Sequence, residues 1–260
     1  MNTAPTLYRI VVFATPEDRL EAASVLRECL SLLPTDAAIQ ARLLPGVING
    51  EYPRESAERA AAGISELGPH AEAIPSHLVP VLHPCESPRH LRWPVGELQV
   101  VDARGEIEHR IAWDDVELVS VGQVPLDSTR HSTPRSTTVL AAGRHIVPEG
   151  NSTSPLAAGP EAYIVCKNPR RVYLLDHKRL NYEFLGDRRT ESATTNFRQF
   201  LVELVAQTPG AYLPPWTVAY LASDALNKFD FSSPGELERA TVLHLLIRRR
   251  THPATVAATP

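Results

Sequence analysis

Three cysteines and ten histidines are the residues from which covalent or metal chemistry could start in this chain. Cys166 closes an apolar run, and Asp176-His177 end the next one, after the turn Lys167-Asn168-Pro169-Arg170. A thiol, an imidazole and a carboxylate are the parts of a cysteine-dependent hydrolase, provided that they converge on one pocket. A second group is His77, His83, Cys85 and His90, residue types that zinc accepts. Their spacings match no compact ligand knuckle, and Cys85 lacks a Cys-x-x-Cys partner. A polar segment without metal is therefore expected. Arg130, Arg135 and Arg144 lie on polar loops and are the candidates for contact with phosphate or lipid headgroups. Asp114-Asp115 reads as a turn, because adjacent strand residues point apart. No Gly-x-Gly-x-x-Gly, Walker loop, Gly-x-Ser-x-Gly or His-Glu-x-x-His occurs. The sequence thus predicts no cofactor and no assembled catalytic set.

The elements that must position these residues follow from composition and pattern. With 260 residues and 43% hydrophobic content, the chain can build one large core or two ordinary ones. A formal charge of -4 argues against sequence-independent nucleic-acid capture, which needs a basic surface. No apolar run is long enough to span a bilayer, and no leader is visible, so integral membrane association is not expected. Three widely spaced cysteines do not form a disulfide framework, and a reducing cytoplasm is the simplest setting.

Residues 5–75 read as strand, helix, helix, strand, helix, strand. Leu7 to Phe13 is almost continuously apolar, which suits a strand covered on both faces. Thr15 as N-cap with Pro16 opens a helix whose stripe is Ala22, Val25, Leu26, Cys29, Leu30 and Leu33. Pro34 should end it, and Thr35 should cap the next. An alanine-rich helix follows Tyr52-Pro53 and closes at Gly68. Residues 76–96 are rich in Pro and His and read as a linker, a hinge that protease should cut. Residues 96–210 read as an antiparallel meander carrying a polar insertion at 127–160. It includes Leu98–Val101, Ile107–Ile111, Val116–Val121, a short strand at Thr137–Leu140, Ala162–Cys166, Arg171–Leu175 and an alternating Leu180–Phe184. An amphipathic helix capped by Thr195 or Asn196 would close the meander. The extension 211–250 should be helical, its last helix capped by Ser233 with Pro234 and Glu236. That helix has an apolar arc wider than one stripe. Leu243, Leu246 and Ile247 are its candidate interface, with the rest of the chain or with a second copy in a homodimer. Arg248-Arg249-Arg250 suit its negative end. Residues 251–260 should be a disordered tail.

Two resemblances attach to these patterns. The YRIVVF strand, the Leu44-Pro45-Gly46-Val47-Ile48 segment and the alanine-rich helix ending at Leu67-Gly68 resemble the α/β domain shared by the ClpS adaptor and the C-terminal domain of the ribosomal stalk protein. That adaptor carries an Asn-Asp pair after its first strand to hold peptide amino termini. Here the matching stretch is Ala14-Thr15-Pro16-Glu17-Asp18, which lacks the Asn, so the resemblance implies a protein-contact module only. The meander plus helix, with Ile111-Ala112-Trp113-Asp114-Asp115-Val116 in an early strand pair, resembles bacterial pleckstrin-homology (PH)-like domains. The expected fold class is therefore α+β: a small βααβαβ domain, then a PH-like antiparallel β-barrel closed by a helix, then C-terminal helices. The expected function is non-catalytic protein interaction or scaffolding, with headgroup binding and a Cys166/His177/Asp176 hydrolase as alternatives.

Overall fold

A computed structural model describes residues 6–125, 158–223 and 229–251. Arg130, Arg135, Arg144, the strand expected at 137–140 and the tail beyond Thr251 lie outside the described residues. The described residues form a mixed α+β fold with three small antiparallel sheets.

The first sheet has the order β2-β1-β3, with β1 at Tyr8–Val12, β2 at Gly46–Val47 and β3 at Ala71–Pro75. Its helices are α1 (Arg19–Leu30), α2 (Pro34–Arg42) and α3 (Arg54–Glu66), in the expected order. Ile10 and Val12 face these helices, Val11 faces the other way, and all three are fully buried. The continuous apolar run is therefore a strand covered on both sides.

The caps differ from expectation. Asp18, not Thr15, caps α1, its carboxylate accepting from the amides of Leu20 and Glu21. A carboxylate one residue before the helix reaches two amides and also meets the positive helix end. Pro34 does not stop a helix but starts α2 at its first position, where its missing N–H costs nothing. Leu33 is the cap residue there and is largely exposed, so the α1 stripe ends at Leu30.

The second sheet joins β4 (His90–Arg92), β5 (Glu97–Val101) and β6 (Ile107–Ala112). The third joins β7 (Val116–Pro125), β8 (Ala158–Lys167) and β9 (Arg170–Asp176). No closed barrel is found among the described residues, so the PH-like barrel of the expectation is not seen there. The reason is visible at the edges of the third sheet. Outside β7, Tyr212 exchanges hydrogen bonds with Glu117 and Val119, and Phe229 and Phe231 with Gln123. Outside β9, Glu86 exchanges them with Val172 and Leu174. Both edges are covered by irregular chain, so neither can pair with β4 or β6. The expected strand at 180–184 is also absent: the chain enters a 3-10 turn at Glu183–Arg188, while Leu180, Tyr182 and Leu185 supply the burial.

The third sheet is buried on both faces. On β8, Ala162, Ile164 and Cys166 point to one side, with Val119, Val121, Tyr173 and Leu175 from its neighbours. There they meet Leu98, Val100 and Ile111 of the second sheet and Phe197, Phe200, Leu201 and Leu204 of α4 (Ala193–Gln207). Ser192 caps α4 by accepting from the Thr195 amide, one turn earlier than expected. Asn196 is buried inside the helix instead, holding the backbone and hydroxyl of Thr190.

On the other side, Tyr163, Val165, Leu118 and Val172 meet α6 (Pro234–Thr251), which follows the short α5 (Pro215–Leu221). Leu237, Leu243, Leu245 and Leu246 of α6 are buried in that contact, and Val11 and Ile74 of the first sheet join it. The last helix thus lies between two sheets that are far apart in sequence. Its start is as read: the Ser233 hydroxyl accepts from the Glu236 amide, and Glu236 accepts from the amide and hydroxyl of Ser232. Gly122 lets β7 approach closely, since a Cβ there would stand 2.5 Å from the Phe231 ring. Ser120 and Thr241 share a hydrogen bond of 2.8 Å across the buried β7–α6 seam.

Residues 76–96 take part in this packing. Val79 and Leu82 are buried in the α6 cluster, Glu86 lies along β9, and His90–Arg92 is β4.

Arg249 and Arg250 form ion pairs with carboxylates of the sheets. Arg249 makes a bidentate pair with Glu117 of β7, both contacts 2.8 Å, with the glutamate side chain only 6% exposed. Arg250 makes a bidentate pair with Glu72 of β3 and lies over the Phe13 ring. The arginine holds the Glu72 carboxyl below the usual carboxylate range. Removing one member of a buried pair strands the other charge, at a cost of about 3 kcal/mol or more. Exposed pairs give about 1 kcal/mol or less. Glu117→Ala should therefore destabilise the chain at least about three times as much as Glu72→Ala in urea unfolding. Equal losses would mean that Arg249 is not stranded.

Candidate functional site

The sequence-derived hydrolase triad does not assemble. His177 is buried, its Nδ1 3.1 Å from the Pro160 carbonyl, and its backbone carbonyl accepts from the Tyr182 hydroxyl. Asp176 is beside it, Oδ1 3.6 Å from Nδ1, on the register position opposite Glu161. Cys166 sits five residues further along β8, roughly 17 Å away at about 3.3 Å per residue. It is also a poor nucleophile: burial, with Asp115 adding to it, pushes its thiol up to about 12.

The His/Cys group disperses as well. His77 is in a 3-10 turn, and His90 Nδ1 meets Asn181 Nδ2 at 3.4 Å. Only His83 and Cys85 stay together, with Cys85 Sγ 3.5 Å from His83 Nδ1. No set of three or more His, Cys, Asp or Glu among the described residues could hold a metal ion. Leu243 and Leu246 are buried inside the chain and Ile247 partly so. The wide apolar arc of α6 is thus largely used by its own two sheets.

What the sequence reading missed is an open cleft of about 520 Å³ on the second sheet. Its walls are β4, the β5–β6 turn and residues 181–184. Each wall is fixed locally. In the turn, Asp102 Oδ1 accepts from the amides of Arg104 and Glu106, both at 2.8 Å. Gly105 closes that turn at φ +85°, a left-handed conformation that favours glycine. The Arg92 guanidinium lies over this glycine, since a Cβ there would stand 3.0 Å from its Nη2. Asn181 donates its amide to the Arg89 carbonyl, and its Oδ1 accepts from the Glu183 amide. The floor is aromatic. Trp93 stacks on Phe184 at 9° between planes, packs on Trp113 at 4.9 Å, and takes the edge of Phe200 at 5.5 Å.

Around this floor stand Arg92 and Arg104, with no carboxylate in ion-pair contact among the described residues, and Asp102 and Glu183. The cleft therefore offers a flat apolar surface ringed by charges of both signs. No cysteine lines it. The described residues also contain no helix long and apolar enough to cross a membrane. No known protein family, no curated protein and no solved structure matches the chain. The likenesses to ClpS and PH-like domains rest on element pattern alone.

Burial disfavours the charged form of two histidines. Burial lowers His177 despite Asp176, and burial lowers His244, whose Nδ1 accepts from the Tyr212 hydroxyl at 2.9 Å. A depressed histidine means that the unfolded chain binds protons first. Stability is then full above the unfolded value of about 6.5 and falls as pH drops below it. The urea midpoint should fall from pH 7 to pH 5, and His244→Gln should flatten part of that slope. A midpoint that rises over this range would contradict the assignment.

Proposed function

We propose that the chain is a non-catalytic protein-interaction module, and that the cleft over Trp93 and Phe184 receives a short segment of a partner protein. The observation that carries this reading is the pairing of an aromatic floor with Arg92 and Arg104 at its rim, neither in ion-pair contact with a carboxylate among the described residues. An apolar side chain fits the floor, and a neighbouring carboxylate fits the arginines. The acidic Asp102 and Glu183 in the same rim favour a peptide of mixed character over a polyanionic headgroup, which they would repel. The volume is within the range of ligand pockets, about 300–1,000 Å³. Units 5–75 and 96–210 are part of this proposal as the two folding parts, joined by 76–96 and by α6. A cytoplasmic setting is part of it too, consistent with three cysteines that form no disulfide.

Trp93 reports directly on the cleft. Capped hexapeptides carrying one apolar side chain and one or two glutamates should perturb tryptophan emission. Arg92→Glu with Arg104→Glu should weaken that binding by about tenfold or more, the size of two lost charge-assisted contacts. Gly105→Ala should weaken it too, by straining the turn under Arg92. Inorganic phosphate and phosphatidylserine vesicles are the comparison ligands. Silence with every peptide, or binding to vesicles alone, would overturn the reading in favour of headgroup recognition or no cleft ligand.

A further inference from the structure

Cys85, His83 and Glu238 form a relay outside the cleft. Cys85 Sγ is 3.5 Å from His83 Nδ1, and His83 Nε2 is 3.1 Å from Glu238 Oε2 on α6. The carboxylate can only accept, so it fixes the ring tautomer with the proton on Nε2. Nδ1 is then left as a lone-pair acceptor facing the thiol. A nucleophile, a base and a group that orients the base are thus in line, the arrangement that activates a thiol. Access is also present: the His83 side chain is 56% exposed and Cys85 is half-buried, whereas Cys166 is sealed in the core. The segment that supplies both residues is fixed on either side, by buried Leu82 and by Glu86 on β9. Helix α6 brings Glu238 from 153 positions beyond Cys85, so the relay exists only in the folded chain.

We propose that Cys85 is a nucleophilic thiol activated by His83, and that it is the site at which a hydroperoxide oxidises this chain. In the step, the thiol proton passes to Nδ1 of His83 and the sulfur attacks the terminal oxygen of the hydroperoxide. The S–O bond forms as the O–O bond breaks. The sulfur is oxidised to a sulfenic acid, and the peroxide is reduced to an alkoxide that takes the proton from Nδ1 and leaves as alcohol. The site is a modification site and turns over no substrate, so it is independent of the cleft.

The test uses the full chain with hydrogen peroxide at limiting dose and dimedone to trap sulfenic acid, read by peptide mass spectrometry at each cysteine. Cys85 should be trapped well ahead of Cys29 and Cys166. An unassisted thiol of ordinary acidity is only about 3% ionised at neutral pH, so losing the base should slow trapping by about tenfold. His83→Ala should show that loss, and Glu238→Gln should show part of it, with unchanged circular dichroism and unchanged peptide binding at the cleft. Trapping at Cys85 no faster than at Cys29, or a rate unmoved by His83→Ala, would overturn the proposal.

Discussion

The burial of α6 between two sheets is the constraint on which the rest of the structure depends. A helix whose apolar residues spread around most of its circumference cannot be satisfied by one neighbour. Here Leu118, Tyr163 and Val165 cover one side, while Val11 and Ile74 of the first sheet reach the same cluster. Each large aliphatic side chain sealed there contributes about 1.5–3 kcal/mol, so several together exceed the net stability of a typical domain. Polar contacts then choose the register. Ser120 with Thr241, and Glu117 with Arg249, are buried groups that would be left unpaired by a one-turn slip of the helix. The apolar surface supplies the energy, and these pairs select the position.

The same arrangement explains why a cleft exists. The edges of the third sheet are occupied by residues around 86, 212 and 230, so the second sheet packs on its face instead of closing it into a barrel. Leu91, Leu98 and Ile111 anchor the inner face of that second sheet, while its β5–β6 turn reaches away from the core. The gap between that turn and residues 181–184 leaves one side of the Trp93 and Phe184 rings within reach of a ligand. The cleft lies on a sheet that does not close among the described residues, and its chemistry follows from the side chains that border the opening.

Local pattern was readable in the sequence, and long-range pairing was not. The order of elements in the first 75 residues was legible because each had its own period and punctuation: a two-sided strand at Ile10–Val12, a 3.6 stripe through Ala22 and Leu26, an alanine face at Ala57–Ala61. The capping of α6 by Ser233 and Glu236 was legible for the same reason. Arg249 and Arg250 were read as helix-end charges because their partners, Glu117 and Glu72, lie 132 and 178 positions away. β4 was hidden because three residues in a Pro-rich stretch carry no period. Leu180, Tyr182 and Phe184 alternate like a strand, but Asp176 accepts from the Lys178 amide and turns the chain first. Arg92 and Arg104 gave no signal, since neither belongs to a motif. Arg92 precedes Trp93 in the chain, and only the fold brings Arg104 to the same cleft.

Helix α6 is the shared core of two sheets, not an appendage. Native-state hydrogen exchange tests it directly. The amides of Leu243, Leu245 and Leu246 should exchange as slowly as those of Ile164 and Val165 in β8, and with the same dependence on urea, because freeing the helix exposes both sheets at once. Exchange of α6 by a separate, cheaper opening, while β8 remains protected, would contradict the account.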